Sequence, residues 1–287
     1  MQKINRLFRY FILVLMLMLG VCPVGAQTSG DGDGIIEAGE NLEEELAKAA
    51  QNPVADLISV PFQNNIGYDV GSRDKTNNVL NVQPVYPVKL NDCWNLITRT
   101  IAPIIYQPKG TVGRGSEFGL GDINFTAFLT PAKPGKMLWG AGPSFLLPTA
   151  SNNKLGREKW GVGPSAVFIF MPNPWVLGVL ANNIWSVAGD NDRDHINEML
   201  VQPFINYNLA GGLYLTSSPI ITANWKADKS GDSWTVPVGG GIGKVWRLGK
   251  LPINTSISSY YNVSRPDFGP RWTLRLQVQF LFPKKRS

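Results

Sequence analysis

The sequence holds one histidine, His195, in the polar run Gly189-Asp190-Asn191-Asp192-Arg193-Asp194-His195. A histidine within hydrogen-bond reach of a serine can act as its general base and make it an acyl-transfer nucleophile. Some barrel proteins hydrolyse lipid with such a pair. No strand serine stands at a spacing that commits to His195, so the plainer reading is a solvated loop histidine. Asp190, Asp192 and Asp194 offer weak divalent-cation ligands at most. There is no His-x-x-x-His pair, phosphate-binding glycine loop or paired-cysteine metal site. The sequence therefore assigns no catalytic residue and no cofactor.

A weak metal candidate lies near the start. In Ser29-Gly-Asp31-Gly-Asp33-Gly34-Ile-Ile36-Glu37-Ala-Gly-Glu40, Asp31 and Asp33 fall at the third and fifth ligand positions of an EF-hand-type calcium loop. Gly34 takes the sharp turn and Glu40 the bidentate position. Ser29 replaces the first aspartate and no helix precedes the loop, so a flexible acidic leader is favoured over a calcium site. Residues 38–50 are good helix formers, and Pro53 stops the run.

Composition narrows the classes. Of 287 residues 44% are hydrophobic and 17% charged, which excludes wholesale disorder. Thirty glycines and 21 prolines argue against a helical bundle. The net charge of +6 hides an acidic head on a basic body: residues 27–50 carry seven acids and one base. Basic residues in the body are scattered singly up to Lys284-Lys285-Arg286, so no stripe exists to enter a nucleic-acid groove.

Residues 1–26 read as a cleaved export signal. Lys3, Arg6 and Arg9 precede an apolar run from Tyr10 to Val21, and Val24-Gly25-Ala26 supplies small residues before Gln27. Pro23 and Gly25 cut the run short of the ~20 residues a membrane helix needs. Cleavage would leave Cys93 as the one cysteine, read as a small apolar side chain.

Beyond residue 57 the pattern is β. Trp272, Leu274, Leu276, Val278, Phe280 and Phe282 alternate with Arg271, Thr273, Arg275, Gln277 and Gln279. Similar alternation recurs in Leu80–Leu90, Leu213–Lys226 and Ile253–Val263. Turn signals delimit twelve strands, near 57–69, 79–90, 94–106, 119–130, 137–148, 159–171, 175–187, 197–208, 212–226, 233–247, 252–263 and 271–282. Most match the ~9–11 tilted residues that cross a bilayer. Short connectors alternate with longer polar ones, and the strand count is even. Both are marks of an outer-membrane barrel.

All nine tryptophans lie near predicted strand ends. Trp94, Trp139, Trp160, Trp175, Trp185, Trp225, Trp234, Trp246 and Trp272 suit membrane–water interfaces better than a soluble core, where deep burial would place them mid-strand. Alternation then points Gln83, Asp122, Asn124, Asn182, Gln202, Asn206, Asn224, Lys226, Lys244, Arg275, Gln277 and Gln279 into the lumen, with Asn81, Thr126, Thr222 and Asn262. Amides serve neutral solutes or either charge, and the few cations tilt the interior toward anions.

Gly119-Leu-Gly121-Asp122 is similar to the Gly-x-Gly-Asp element of the outer-membrane β-barrel transporters of the phenol-degradation meta-pathway. Gly142-Pro-Ser-Phe-Leu-Leu-Pro148-Thr and the closing aromatic strand resemble that family too, over residues 57–282. The resemblance implies passage of hydrophobic or aromatic small molecules. One departure is that Phe282, where such barrels end on an aromatic read by the assembly machinery, is followed by Pro283–Ser287.

The expected protein is all-β: a transmembrane antiparallel up-and-down barrel of about 12 strands with a short N-terminal helical and acidic segment. Residues 1–26 are the signal, 27–56 a periplasmic segment and candidate plug, and 57–287 the barrel. Its expected place is the outer membrane of a Gram-negative bacterium. Its expected partners are the bilayer, the assembly machinery and a small-molecule solute, not nucleic acid. The expected role is channel or transporter. A lipid-acting barrel enzyme and a non-conducting structural or adhesion barrel are the alternatives.

Overall fold

The computed structural model describes residues 37–71, 74–109, 115–133 and 137–283. The expected signal and the calcium-loop positions Asp31 and Asp33 lie outside them, and Glu40 falls within the first helix. That helix, α1, spans Glu37–Gln51. It ends where Asn52 Oδ1 accepts the Val54 N–H at 2.9 Å and Pro53 withholds a donor.

Twelve strands follow. They are β1 Ile58–Val70, β2 Lys75–Val82 with Val85–Lys89, β3 Trp94–Gln107, and β4 Glu117–Leu120 with Ile123–Pro131. Next come β5 Met137–Leu147, β6 Lys159–Phe170, β7 Trp175–Gly189 and β8 Asn197–Asn208. The last four are β9 Leu213–Ser217 with Ile221–Asn224, β10 Trp234–Leu248, β11 Leu251–Ser264 and β12 Trp272–Phe282. Each pairs antiparallel with its chain neighbours. The sheet closes on itself where Ile58 of β1 faces Phe282 of β12 and Tyr68 faces Trp272. Closure leaves no unpaired edge.

Three strands are interrupted, which the sequence reading did not anticipate. β2 breaks at Gln83-Pro84 and β9 at Ser218-Pro219-Ile220, because proline cannot donate to the ladder. β4 breaks at Gly121-Asp122, opposite Pro103, whose carbonyl accepts the Gly121 N–H at 2.8 Å. β2 also begins earlier than expected, at Lys75, which shortens the first long connector. Among the described residues no cysteine is a free thiol.

Burial is inverted relative to a water-soluble barrel. Buried inward positions include Gln63, Gln83, Asn206, Asn254, Arg275 and Gln279, while Phe168, Trp185, Ile205, Ile242, Ile257 and Val278 are exposed outward. Twelve residues, as in β6, run about 40 Å at ~3.3 Å per residue. Tilted by about 40°, they rise roughly 30 Å, the thickness of a hydrocarbon core.

The interior is not uniform. Val85, Ile97, Phe128, Leu138, Val167, Ile169, Val176, Leu180 and Phe204 form one buried cluster on the inward faces of β2–β8. Val54, just past α1, is 2% exposed and packs into the same cluster. Leu46 and Ala47 of α1 pack on Tyr214 and Val245 on the opposite side. Tyr214 can lie flat there because Gly243 faces it; a Cβ at Gly243 would run into the phenol ring.

Candidate permeation pathway

Two cavities are stacked along the barrel axis. The larger, of about 790 Å³, opens among the long connectors and is lined by Asn81, Asn124, Asn182, Leu200 and Asn224. The smaller, of about 150 Å³, is floored by Ala50, Gln51, Asn52 and Pro53 and walled by Asn206, Tyr214, Asn254, Arg275, Gln277 and Gln279. Gln63, Gln83, Arg99, Leu180 and Gln202 line both and mark the neck between them.

The polar wall is held by side-chain hydrogen bonds. The Tyr214 hydroxyl donates to Asn254 Oδ1 at 2.7 Å, and Asn254 Nδ2 donates to Gln279 Oε1 at 3.1 Å. The break in β9 frees Ser218 from the ladder, and side chains satisfy its backbone as burial requires. Arg275 Nη1 donates to the Ser218 carbonyl at 2.7 Å, and the Ser218 N–H donates to the Tyr260 hydroxyl at 3.1 Å. Gln202 Nε2 donates to Ser218 Oγ at 2.7 Å. Arg275 also donates through Nε to Asn65 Oδ1 at 3.0 Å and stacks 4.8 Å from the centre of the Tyr260 ring. Opposite, a shorter ladder of hydroxyls joins Thr126, Ser144 and Ser165 at 2.5 and 2.6 Å.

Charge is graded along the axis. The outer mouth mixes signs: Arg157 pairs with Glu198, and Lys229 lies 3.6 Å from Asp267. The neck and lower chamber hold Arg99 and Arg275, and no ion pair between described residues involves either. Arg99 Nη2 donates to Gln83 Oε1 at 2.7 Å.

Of the positions expected in the lumen, Gln83 and Gln202 line the neck, Asn124, Asn182 and Asn224 the upper cavity, and Asn206, Arg275, Gln277 and Gln279 the lower one. Asp122, Lys226 and Lys244 line neither cavity, which corrects their placement. Asp122 accepts the backbone N–H groups of Ala150 and Arg157 at 3.2 and 2.6 Å and so pins the connector between β5 and β6. That docking explains the Gly-x-Gly-Asp run: a Cβ at Gly119 would strike Ser151, whose Oγ accepts the Leu120 N–H at 3.0 Å. Lys226 is exposed beyond the end of β9. Lys244 is exposed on the outer face, paired with Leu213 and Thr255 near the short-turn rim. A long lysine there can extend to the membrane–water boundary.

Arg99, Gln63, Tyr214, Asn254 and Tyr260 were missed. Arg99 sits in Leu96-Ile-Thr-Arg99-Thr-Ile101-Ala, where apolar residues on both faces hide the alternation. The spacing of β11, Asn254-x-Ser256-x-Ser258-x-Tyr260, carried a legible signal that was read only in part.

Trp94, Trp139, Trp175 and Trp246 stand at the short-turn rim; Trp160, Trp185, Trp225, Trp234 and Trp272 stand at the long-connector rim. Ring pairs occur at both: Trp175–Tyr207 at 4.7 Å and Trp94–Trp139 at 5.8 Å, then Tyr261–Trp272 at 4.8 Å and Trp225–Trp234 at 5.5 Å. Six of the nine are exposed, whereas Trp94 is 2% exposed beneath Trp139.

The fold also brings Ser186 Oγ to 3.3 Å from His195 Nδ1. Ser186 Oγ accepts the Ile196 N–H at 3.0 Å as well, so the contact fastens the connector between β7 and β8.

No protein family's sequence profile matches the chain, and no curated protein matches it significantly. Among solved structures, it is similar to an outer membrane channel from Pseudomonas putida F1. The TM-score is 0.62 and the identity 19%, over 80% of this chain and 97% of that one. Outer membrane phospholipase A from Escherichia coli also aligns, over 83% of this chain and 98% of that one, with a TM-score of 0.41 and 13% identity. At that score the second likeness carries no argument. The first shows the fold: a closed antiparallel barrel of 12 strands, of the outer-membrane type.

Proposed function

We propose that the chain is an outer-membrane channel for small molecules, with the segment from α1 to Asp56 standing as a plug in the short-turn mouth. The observation that carries this is the inverted burial combined with two cavities, both lined in part by amides, that meet at one neck. A bilayer solvates the apolar outer band, and the amides inside hydrate a passage. The plug reading rests on Val54 in the interior cluster and on Gln51 Nε2 donating to Asn208 Oδ1 at 2.8 Å. The likeness to a channel from Pseudomonas putida F1 supports the same role. Residues 1–26 fit a cleaved export signal, and the barrel fold supports assembly by the outer-membrane machinery. The solute class of the phenol meta-pathway transporters, hydrophobic or aromatic, remains the proposal that the sequence resemblance makes. The calcium-loop reading of Asp31, Asp33 and Glu40 stays secondary to an acidic leader.

Planar-bilayer recording of the refolded chain 27–287 tests the reading. Discrete conductance steps are expected, and they should grow when residues 27–55 are removed. Silence from both forms, each shown to be folded by its heat-dependent gel mobility, would refute the channel. The lipid-hydrolase reading rests on the Ser186–His195 contact, and a fluorophosphonate probe decides it: covalent labelling of Ser186 would revive it.

A further inference from the structure

We propose that Arg99 is the head-group site for a small organic carboxylate whose apolar body lies against Ile101, Phe128, Leu180 and Leu200. The proposal rests on the channel reading above, since it concerns the neck of that passage.

Arg99 faces both cavities, so a solute moving between them must pass it. Its guanidinium carries five N–H donors and is always charged. One of them is directed to Gln83 Oε1. A cation at a protein interior is normally matched by a carboxylate, yet no ion pair between described residues reaches Arg99. Arg275 differs: its Nε and Nη1 are spent on Asn65 and on the Ser218 carbonyl, and Tyr260 covers its face. One uncommitted guanidinium suits a monoanion rather than a multiply charged phosphate, and its planar fork matches a carboxylate.

The second half of the ligand follows from the wall beside it. Arg99 is flanked in its own strand by Ile97 and Ile101, and its ladder partners are Val85 and Thr126. Ile101, Phe128, Leu180 and Leu200 line the upper cavity that Arg99 also faces. The other charges on that cavity lie at the outer mouth, where Arg157 faces Glu198 and Lys229 faces Asp267, which leaves Arg99 as the charge beside these apolar side chains at the neck. The upper cavity, at about 790 Å³, has room for a ring or a short alkyl chain.

The test is binding of 4-fluorobenzoate to the refolded full chain, read by ¹⁹F line broadening, alongside glycerol entry in a liposome-swelling assay. Saturable binding of 4-fluorobenzoate is expected, with 4-fluorobenzyl alcohol and acetate each at least ~10-fold weaker because each lacks one half of the ligand. Arg99→Gln should weaken 4-fluorobenzoate at least ~10-fold, and Arg99→Lys should recover only part of that loss, since it keeps the charge and loses the fork. Equal binding of acid and alcohol, displacement by chloride as effective as by benzoate, or an unchanged Arg99→Gln would overturn the proposal. Glycerol entry without carboxylate binding sinks the carboxylate site and leaves the channel. Carboxylate binding without glycerol entry sinks the channel and leaves the site.

Discussion

The two walls of the lumen solve different problems. On β2–β8 the inward face carries an apolar cluster beside amides and hydroxyls, with Ile97, Val167 and Val176 fully covered. From β9 round to β1 it is polar, with Asn254, Ser258, Arg275 and Gln279 buried along the lower cavity. Twelve strands enclose more space than eight, whose side chains just fill the interior. Here the apolar wall fills part of that space and gives Val54 a surface to pack on. The polar wall keeps its groups paired and lines the lower cavity with amides and hydroxyls. The apolar cluster thus serves packing, while the amides beside and opposite it face the cavities.

That division can be broken at several points. The largest effect is expected from Phe128→Ala, which empties a covered position in the apolar wall. It should cost about 3–5 kcal/mol of unfolding free energy, read by urea unfolding in lipid vesicles. Gln277→Ala, on the polar wall, should cost under about 1 kcal/mol, since the side chain faces the lower cavity and is not packed into the core. Equal losses at the two positions would show that the walls do not differ in packing.

Leu276→Arg tests inside against outside on a single strand. Its side chain points outward near mid-strand and should lose about 2–4 kcal/mol in a bilayer. Gln277→Arg, one residue on and facing in, should leave stability nearly unchanged and shift the reversal potential toward anions. If both arginines proved equally tolerated, the assignment of faces in β12 would be wrong.

Val54→Asp addresses the contact between plug and wall. A carboxylate placed in that cluster has no partner and is expelled. Single-channel conductance should rise several-fold while the barrel's heat-dependent mobility stays unchanged. An unaltered conductance would mean that Val54 does not help to close the passage.

The smallest effect concerns the turn between β2 and β3. The Lys89 ammonium, hydrogen-bonded to Asp92 at 2.7 Å and adding its charge, holds the Asp92 carboxyl below its ordinary value of 3.8. The folded value is depressed, so any stabilisation is present at neutral pH and disappears as pH falls through it. Lys89→Ala should return the Asp92 carboxyl toward its ordinary range in a carbon-detected NMR titration. Both groups are exposed, so the barrel's stability should scarcely respond.

Much was readable where a strand has one polar and one apolar face. β12 shows this best: Arg275, Gln277 and Gln279 against Leu274, Leu276 and Val278 dictate both its β conformation and which side meets lipid. Strand number, the alternation of short and long connectors and the placing of tryptophans at strand ends follow from the same local rules. Alternation fails where both faces are apolar, as in β6, where Val167 and Ile169 point in while Phe168 and Phe170 point out. It fails again in β10, where Gly239-Gly240-Gly241 offers no side chain to read and Lys244 was turned inward on polarity alone.

Sequence by itself determined a barrel with an apolar exterior, because the bilayer imposes its pattern residue by residue. Only the tertiary structure decided which inward residues meet. The grouping of an apolar wall, the seating of Val54 on it and the meeting of two cavities at Arg99 depend on register across twelve closed strands. Those contacts join residues far apart in the chain, such as Gln51 with Asn208 and Asn65 with Arg275. No local periodicity encodes them, since a period-2 pattern fixes the face of a side chain and not its neighbour across the lumen.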